Sequence, residues 1–145
     1  PGYGVEARLL MLAASDGKEI RGLETLEDQL GALDSLPASA QREFLLTTIE
    51  EAAEIESGID AILLAWREGN TRTLERDLLS GLDDQPELRQ RILVDRNGRW
   101  VEQLQAMAGD GTRYLVVVGA LHLVGPDSVL DMLERRGIGN QQLRE

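Results

Sequence analysis

The stretch Y-L-V-V-V-G-A-L-H-L-V-G-P-D, residues 114–127, is the most informative part of the sequence. It combines an apolar run with the only histidine of the chain. Tyr114 to Val118 is short, apolar and rich in β-branched side chains, which predicts a fully buried β-strand. Gly119 ends that strand, and His122 follows three residues later. Gly125-Pro126-Asp127 then predicts the start of a helix, with Gly125 at its cap.

A histidine beyond the end of a strand is a candidate functional residue. In open α/β sheets, ligands bind in the crevice beyond the carboxyl ends of the strands. His122 in that place can be a metal ligand or a proton carrier at neutral pH. The alternative is a histidine that only ties the loop together through hydrogen bonds.

Composition limits the class of protein. The chain has 145 residues, which fits one domain, residues 1–145, with a real core. Its 26 acidic and 15 basic side chains give a net charge of −11, which disfavours binding to nucleic acid. No cysteine is present, so disulfides, thiol nucleophiles and thiolate metal sites are excluded. No apolar run approaches the roughly 20 residues of a transmembrane helix.

The remaining pattern predicts mostly helices. Thr25, with Asp28 three residues later, predicts the cap of a helix that ends before Pro37. An apolar stripe at helical spacing predicts a helix face packed on the core: Leu45, Ile49, Ala52, Ile55, Ile59, Ile62 and Trp66. Ser57-Gly58 is a candidate kink, and Thr71 a candidate cap of the next helix.

The predicted strands are few: Lys18 to Leu23, Tyr114 to Val118 and a weak one within Ile138 to Leu143. We therefore expect an α/β fold (α+β by content), mostly helical, with a small and mainly parallel sheet. A buried strand needs neighbours on both sides because its backbone groups must be paired. The sheet is thus incomplete without upstream strands or a second copy of the chain.

Five segments, in order, resemble the TraB/GumN family, which includes the Tiki metalloproteases and is similar to the erythromycin esterases and haem-binding ChaN-like proteins. They are P-G-Y-G-V-E (Pro1 to Glu6), G-L-E-T-L-E-D-Q-L (Gly22 to Leu30), A-W-R-E-G-N (Ala65 to Asn70), D-R-N (Asp95 to Asn97) and V-V-V-G-A-L-H-L-V-G-P-D (Val116 to Asp127). The resemblance implies an α/β fold whose site combines two G-x-x-H motifs, a glutamate and an Arg-Asn pair.

Carried over by residue, Gly119 to His122 resembles the second G-x-x-H, Glu24 the glutamate, and Arg96 with Asn97 the polar pair. No second histidine is present, so the chain resembles the C-terminal half of such a protein. The first G-x-x-H would lie upstream of Pro1. Because the chain begins with Pro1, we expect a processed product, a shortened form or one piece of a longer protein. The resemblance also allows an exported, periplasmic location.

The resemblance implies a metal-dependent hydrolase of the peptidase class in the complete protein. His122 and Glu24 would be ligands of Mn²⁺, Co²⁺ or Zn²⁺, with a peptide or other small molecule as substrate. Arg96 would stabilise an oxyanion, and Gly119 and Asn97 would line the site. Two ligands rarely hold a transition metal firmly, so we expect this chain alone to bind metal weakly and to be inactive.

Other interpretations stay open. Glu24 can simply favour the helix start beside Thr25, Arg96 can cap carbonyls or pair with Asp95, and Asn97-Gly98 can be a turn. Tyr3, Trp66 and Trp100 are interpreted as packing residues. A different class of function is a non-catalytic module that keeps the fold. It would dimerise through a sheet edge or hold a ligand such as haem by His122.

Overall fold

The structure is helical throughout the part of the chain that it describes. A computed structural model describes the backbone of residues 4–51 and 55–143, with all of their side chains except those of residues 51 and 55–57. The α-helices in these ranges are α1 (Val5–Ser15), α2 (Leu26–Asp34), α3 (Ala38–Glu51), α4 (Ile55–Arg67), α5 (Thr71–Leu79), α6 (Pro86–Arg89), α7 (Asp95–Ala108) and α8 (Val129–Arg135). Short 3₁₀ turns lie at Ser80–Leu82 and Ala120–Leu123.

Side-chain caps determine where several helices begin. The Thr25 hydroxyl accepts from the backbone N–H of Asp28, and the Asp28 carboxylate accepts from the backbone N–H of Thr25, which confirms the predicted cap of α2. The predicted cap of α5 was wrong by one residue. Asn70, not Thr71, accepts from the backbone N–H of Thr73, so Thr71 is already the first residue of the helix.

The predicted start of α8 was also wrong. Ser128 caps this helix by accepting from the backbone N–H of Asp131, so the helix starts at Val129. Gly125 and Asp127 instead adopt positive φ angles of 75° and 62° in the turn before it. Such angles cannot belong to the first turn of a right-handed helix.

Three small clusters of buried side chains form the core. The first lies under α3 and α6. The second joins α4 and α5 to the 3₁₀ turn Ala120–Leu123, and the third joins α7 to α8. Their buried members are Leu36, Leu79, Leu82, Leu88 and Leu93 in the first, Ala65, Leu74 and Val124 in the second, and Trp100, Val101 and Val129 in the third. A fully buried leucine contributes about 2 kcal/mol through removal of apolar surface from water.

The helix across the D-R-N segment is continuous rather than broken. Between α6 and α7 lies one π-helical segment, Gln90–Val94, so the chain remains helical from α6 into α7. The π segment changes the register of the helix directly before Asp95, and such segments occur frequently at functional sites. The polar residues at 95–98 therefore lie inside a helix, and Asn97-Gly98 is not a turn.

The predicted α/β class was wrong for the described part of the chain. None of the residues 4–51 or 55–143 lies in a β-strand, so no parallel sheet forms there. The three predicted strand segments, at 18–23, 114–118 and 138–143, have no regular secondary structure. A helix satisfies its own backbone hydrogen bonds, whereas a strand requires a second strand, and within these ranges none of the three segments meets one.

The segment at 114–118 is exposed where burial was predicted. Leu115 is 75% exposed, and Tyr114, Val116 and Val117 are exposed as well. Only Val118 packs partly on the third cluster, the one around Trp100. The apolar composition predicted a buried strand, and this prediction was wrong: within the described residues the segment forms no strand and nothing covers it.

The stripe in the middle of the chain is only partly a core face. Ile62 packs on the second cluster, but four other members are exposed: Leu45, Ile49, Ile59 and Trp66. The side chains of Ala52 and Ile55 lie outside the described ones, as does that of Ser57. The backbone of α4 continues through Ser57-Gly58, so the candidate kink does not divide the helix.

Across residues 4–51 and 55–143, the helices are too short or too polar to span a bilayer.

Candidate functional site

The predicted site residues come together at one place. Glu24 lies directly before the cap of α2, Arg96 and Asn97 lie in the first turn of α7, and His122 lies in the 3₁₀ turn Ala120–Leu123. Trp100, one helical turn after Arg96, lies between the two halves of this group.

Glu24 and Arg96 form a buried ion pair. Arg96 Nη2 lies 2.5 Å from Glu24 Oε1, and Arg96 Nε lies 3.1 Å from Glu24 Oε2. The Glu24 side chain is only 6% exposed, and that of Arg96 is 19% exposed. The planar guanidinium fork matches the carboxylate in this two-point geometry. Arg96 Nη1 also donates to the carbonyl of Ile92, at 3.0 Å.

Trp100 joins this ion pair to the histidine. Its Nε1 donates to Glu24 Oε2 at 3.2 Å, and the Arg96 guanidinium carbon lies 5.0 Å from the centre of its ring. The rings of Trp100 and His122 lie 4.5 Å apart between centroids, at an angle of 48°. Glu24, Arg96 and His122 thus all contact one indole.

Asn97 holds the ring of His122. Asn97 is fully buried, and its Oδ1 lies 2.6 Å from His122 Nδ1. Asn97 Nδ2 donates to the carbonyl of Asp127 at 2.7 Å. A carbonyl oxygen only accepts, so the amide nitrogen faces Asp127 and the amide oxygen faces the imidazole. His122 Nδ1 therefore carries a proton, which it donates to Asn97.

The imidazole is held in its neutral form. Burial lowers the pKa of His122 to about 4, the positive charge of Arg96 acts in the same direction, and the negative charge of Glu24 opposes it. At neutral pH the ring consequently has a proton on Nδ1 and a lone pair on Nε2.

That lone pair remains accessible. His122 is 7% exposed overall. In the described part of the chain Nε2 has no hydrogen-bond partner, yet no fully buried side-chain nitrogen or oxygen there lacks one. Nε2 must therefore retain contact with solvent.

Gly119 completes the turn around His122. Its carbonyl accepts from the backbone N–H of His122 at 2.9 Å. A Cβ on Gly119 would lie 3.9 Å from His122 Cδ2, in ordinary contact, so Gly119 borders the ring without needing to be glycine for space.

Two atoms of this cluster have the chemistry of metal donors. His122 Nε2 is one available donor. Three of the roughly four lone pairs of Glu24 accept from Arg96 and Trp100, which leaves one on Oε1. Within residues 4–51 and 55–143, no three His, Cys, Asp or Glu side chains are grouped closely enough to enclose a metal ion. The donor set fits two positions of a site and not a complete one.

Two parts of this site were not predicted from the sequence. Trp100 was interpreted as a packing residue, although its spacing of four from Arg96 on one helix face could have indicated a shared role. Asp127 was interpreted as an acid at a helix start, and its carbonyl instead holds Asn97. Arg96 does not pair with Asp95, whose ion pair is with Arg91.

A separate groove of about 780 Å³ lies between α2 and α3. Its lining includes the apolar side chains of Leu26, Leu30 and Phe44 and the acidic side chains of Glu27 and Asp34. His122 does not line it, so it is distinct from the cluster around Trp100.

Comparison with known proteins gives a consistent family assignment. The model of the TraB/PrgY/gumN family matches residues 1–141. The protein named YbaP, described as uncharacterized, is 31% identical over 134 residues in both Escherichia coli K12 and Shigella flexneri. Those 134 residues are 90% of this chain and 48% of the relative, so the chain spans about half the length of the relatives it matches. No solved structure gives a significant match. The resemblance found in the sequence is confirmed: the chain belongs to the TraB/PrgY/gumN family.

Proposed function

We propose that this chain supplies His122, Glu24 and Arg96 to the site of a metal-dependent hydrolase, of which the remaining ligands come from outside the chain. The observation that carries the proposal is the bond between His122 Nδ1 and Asn97 Oδ1. Histidines that bind metals commonly donate their second ring nitrogen to an oxygen, which fixes the ring and its tautomer. His122 has that arrangement.

The cluster supports a division of roles. His122 Nε2 would bind the metal, and the free lone pair of Glu24 Oε1 would add a second ligand. A bound divalent ion would supply Lewis acidity and an activated water. Arg96 uses three of its five N–H donors on Glu24 and Ile92, so two remain for an oxyanion or a substrate carboxylate.

Burial explains why these residues suit that chemistry. A neutral imidazole binds a cation without first losing a proton, and the low pKa of His122 keeps it neutral above about pH 5. Asn97 rather than a carboxylate faces Nδ1, so the ring gains orientation without a negative partner. Mn²⁺, Co²⁺ and Zn²⁺ all accept this mixed nitrogen and oxygen set.

Paramagnetic Mn²⁺ tests the proposal on the 145-residue chain itself. With two donors the affinity is low, so the ion is added at about millimolar concentration, in the weak range of known carboxylate sites. We expect Mn²⁺ to broaden the ring resonances of His122, and Glu24→Gln to reduce that broadening. Sharp His122 resonances, while acidic residues of α3 such as Glu43 and Glu50 broaden, would reject the metal role.

A second candidate function, assembly without catalysis, is favoured by a different observation. The apolar residues 114–118 are exposed, and no backbone hydrogen bond among the described residues involves 113–118. Unpaired, apolar backbone of this kind pairs readily with another strand. The partner would be the upstream half of a longer parent or a second copy of this chain.

Light scattering over a range of concentrations tests self-assembly. Leu115→Lys places a charge in the exposed segment and should lower the association constant without lowering thermal stability. Leu64→Lys is the matched control, because Leu64 is an exposed leucine on α4. A wild-type chain that stays monomeric at all concentrations would reject the second copy as the partner.

A further inference from the structure

The turn before α8 contains the one unusual backbone angle of the described part of the chain. Asp127 has φ of 62°, and it is the only non-glycine residue there with a positive φ. Aspartate tolerates this left-handed conformation better than most residues, but it remains unfavourable. A strained residue persists only where its surroundings hold it, and such residues cluster at functional sites.

Two arginines contact the Asp127 turn, one at each carboxylate oxygen of Asp127. Arg89 Nη1 lies 3.3 Å from Asp127 Oδ2, and Arg89 Nη2 donates to the carbonyl of Pro126 at 3.1 Å. Arg135 Nη1 lies 3.4 Å from Asp127 Oδ1. The backbone N–H of Asp127 donates to Asp131 Oδ2 at 2.9 Å. Side chain, amide and preceding carbonyl are thereby all fixed.

The start of α8 does not explain these contacts. Ser128 already caps the helix by accepting from the backbone N–H of Asp131. The Asp127 carboxylate faces the arginines instead of the free amides of the first turn. These contacts therefore stabilise the backbone conformation of Asp127 itself rather than the start of α8.

The carbonyl of Asp127 determines the orientation of Asn97. It accepts from Asn97 Nδ2 at 2.7 Å, which turns Asn97 Oδ1 toward His122 Nδ1. A different backbone angle at Asp127 would aim this carbonyl elsewhere. The buried amide could then rotate and present its nitrogen to the imidazole, and the ring would have to accept at Nδ1 and carry its proton on Nε2.

We propose that Asp127, held in its left-handed turn by Arg89 and Arg135, is a positioning residue that fixes the tautomer of His122 through Asn97. The proposal rests on the proposed function of His122, which requires a bare Nε2. It assigns to two arginines remote from the imidazole a role in keeping that nitrogen unprotonated.

Nitrogen-15 NMR of the metal-free chain measures the tautomer directly, because His122 is the only imidazole. The wild-type chain should show protonated Nδ1 and bare Nε2 at neutral pH. Asp127→Asn should keep most of this pattern, because asparagine tolerates positive φ, its amide oxygen can still accept from one arginine, and Arg89 still donates to the carbonyl of Pro126. Asp127→Val should lose it, because a β-branched residue does not tolerate that angle.

A second variant keeps the test decisive if Asp127→Val fails to fold. The double substitution Arg89→Ala with Arg135→Ala removes both ion pairs of Asp127, together with the Arg135–Asp131 pair on α8, and leaves the sequence of the turn unchanged. It should shift the population toward protonated Nε2. Arg91→Ala is the matched control, because the Arg91–Asp95 pair lies on the same helical run without contacting the turn.

The double variant decides the outcome. A wild-type tautomer pattern in the folded double variant would overturn the role of Asp127, whatever the metal does. The measurement contains no metal, so a failure of metal binding would leave this result intact, and the two proposals fail separately.

Discussion

Glu24 and Arg96 form a two-point ion pair although 72 residues separate them in the chain. Both side chains are largely buried, and Trp100 covers them. This pair attaches the segment before α2 to the first turn of α7, the same turn that carries Asn97. The ion pair is therefore both a structural link and the charged side of the candidate site.

Loss of one partner of this pair should destabilise the fold strongly. Glu24→Ala leaves the guanidinium of Arg96 buried without its counter-ion, which costs about 3 kcal/mol of unfolding free energy. Glu19→Ala is the matched control, because Glu19 and Arg21 form the same two-point pair in full exposure. Urea denaturation should show no measurable change for that control. Equal losses in the two variants would refute the link.

The stability of the chain should fall in acid because of His122. Its pKa is about 4 in the folded state and about 6.5 when unfolded, so the unfolded chain takes up a proton first as pH falls. The contribution is fully present above about pH 6.5 and is lost progressively toward pH 4, on the order of 2 kcal/mol. His122→Gln lacks this contribution while it keeps every carboxylate. Parallel stability curves of the two proteins between pH 7 and pH 4 would contradict the prediction.

The glycine at position 125 should not tolerate a side chain. Its φ is 75°, and a Cβ would lie 2.7 Å from Leu79 Cδ1 and 3.1 Å from Glu75 Cγ. Gly125→Ala should therefore lower the unfolding free energy by roughly 2–4 kcal/mol, from backbone strain together with overpacking. Gly137 has a similar φ of 80° with open space around it, so Gly137→Ala isolates the strain. If calorimetry gives equal losses for both, close packing of the turn against α5 is not the cause.

The hydrogen bond from the indole N–H of Trp100 should contribute measurably to the stability of the fold. Trp100→Phe keeps an aromatic ring beside His122 and Arg96 but removes the donor to Glu24 Oε2. A hydrogen bond to a charged group contributes about 2 kcal/mol, which thermal unfolding can detect. Trp66→Phe, at a half-exposed position on α4, is the control and should change little. A loss in Trp100→Phe no larger than that in the control would show that the hydrogen bond to Glu24 does not stabilise the fold.

Local features of the fold could be predicted from the sequence. The capping box of Thr25 and Asp28 depends on four consecutive residues. Such signals are contained in a short window, so a single sequence suffices. The prediction of a strand at 114–118 was wrong for the opposite reason. The pairing of a strand depends on a second segment, which is distant in the chain or lies outside it.

The residues of the candidate site could be predicted from the sequence, but the contacts between them could not. The resemblance singled out Glu24, Arg96, Asn97 and His122, and the structure brings all four to one cluster. The role of Trp100 could not be predicted, because an aromatic residue on an apolar helix face is typical of a core. The role of Asp127 depends on one backbone angle and one carbonyl direction, which no residue pattern encodes.

The measurement that tests the central claim most directly is a calorimetric titration of Mn²⁺, Co²⁺ and Zn²⁺ into a protein of the relatives' length that contains this segment. The native protein should bind at least one of these ions, and His122→Ala should abolish the binding. Gln103→Ala is the control, because Gln103 contacts the carbonyl of Leu23 beside Glu24 without touching His122. Unchanged metal affinity in His122→Ala would contradict the account.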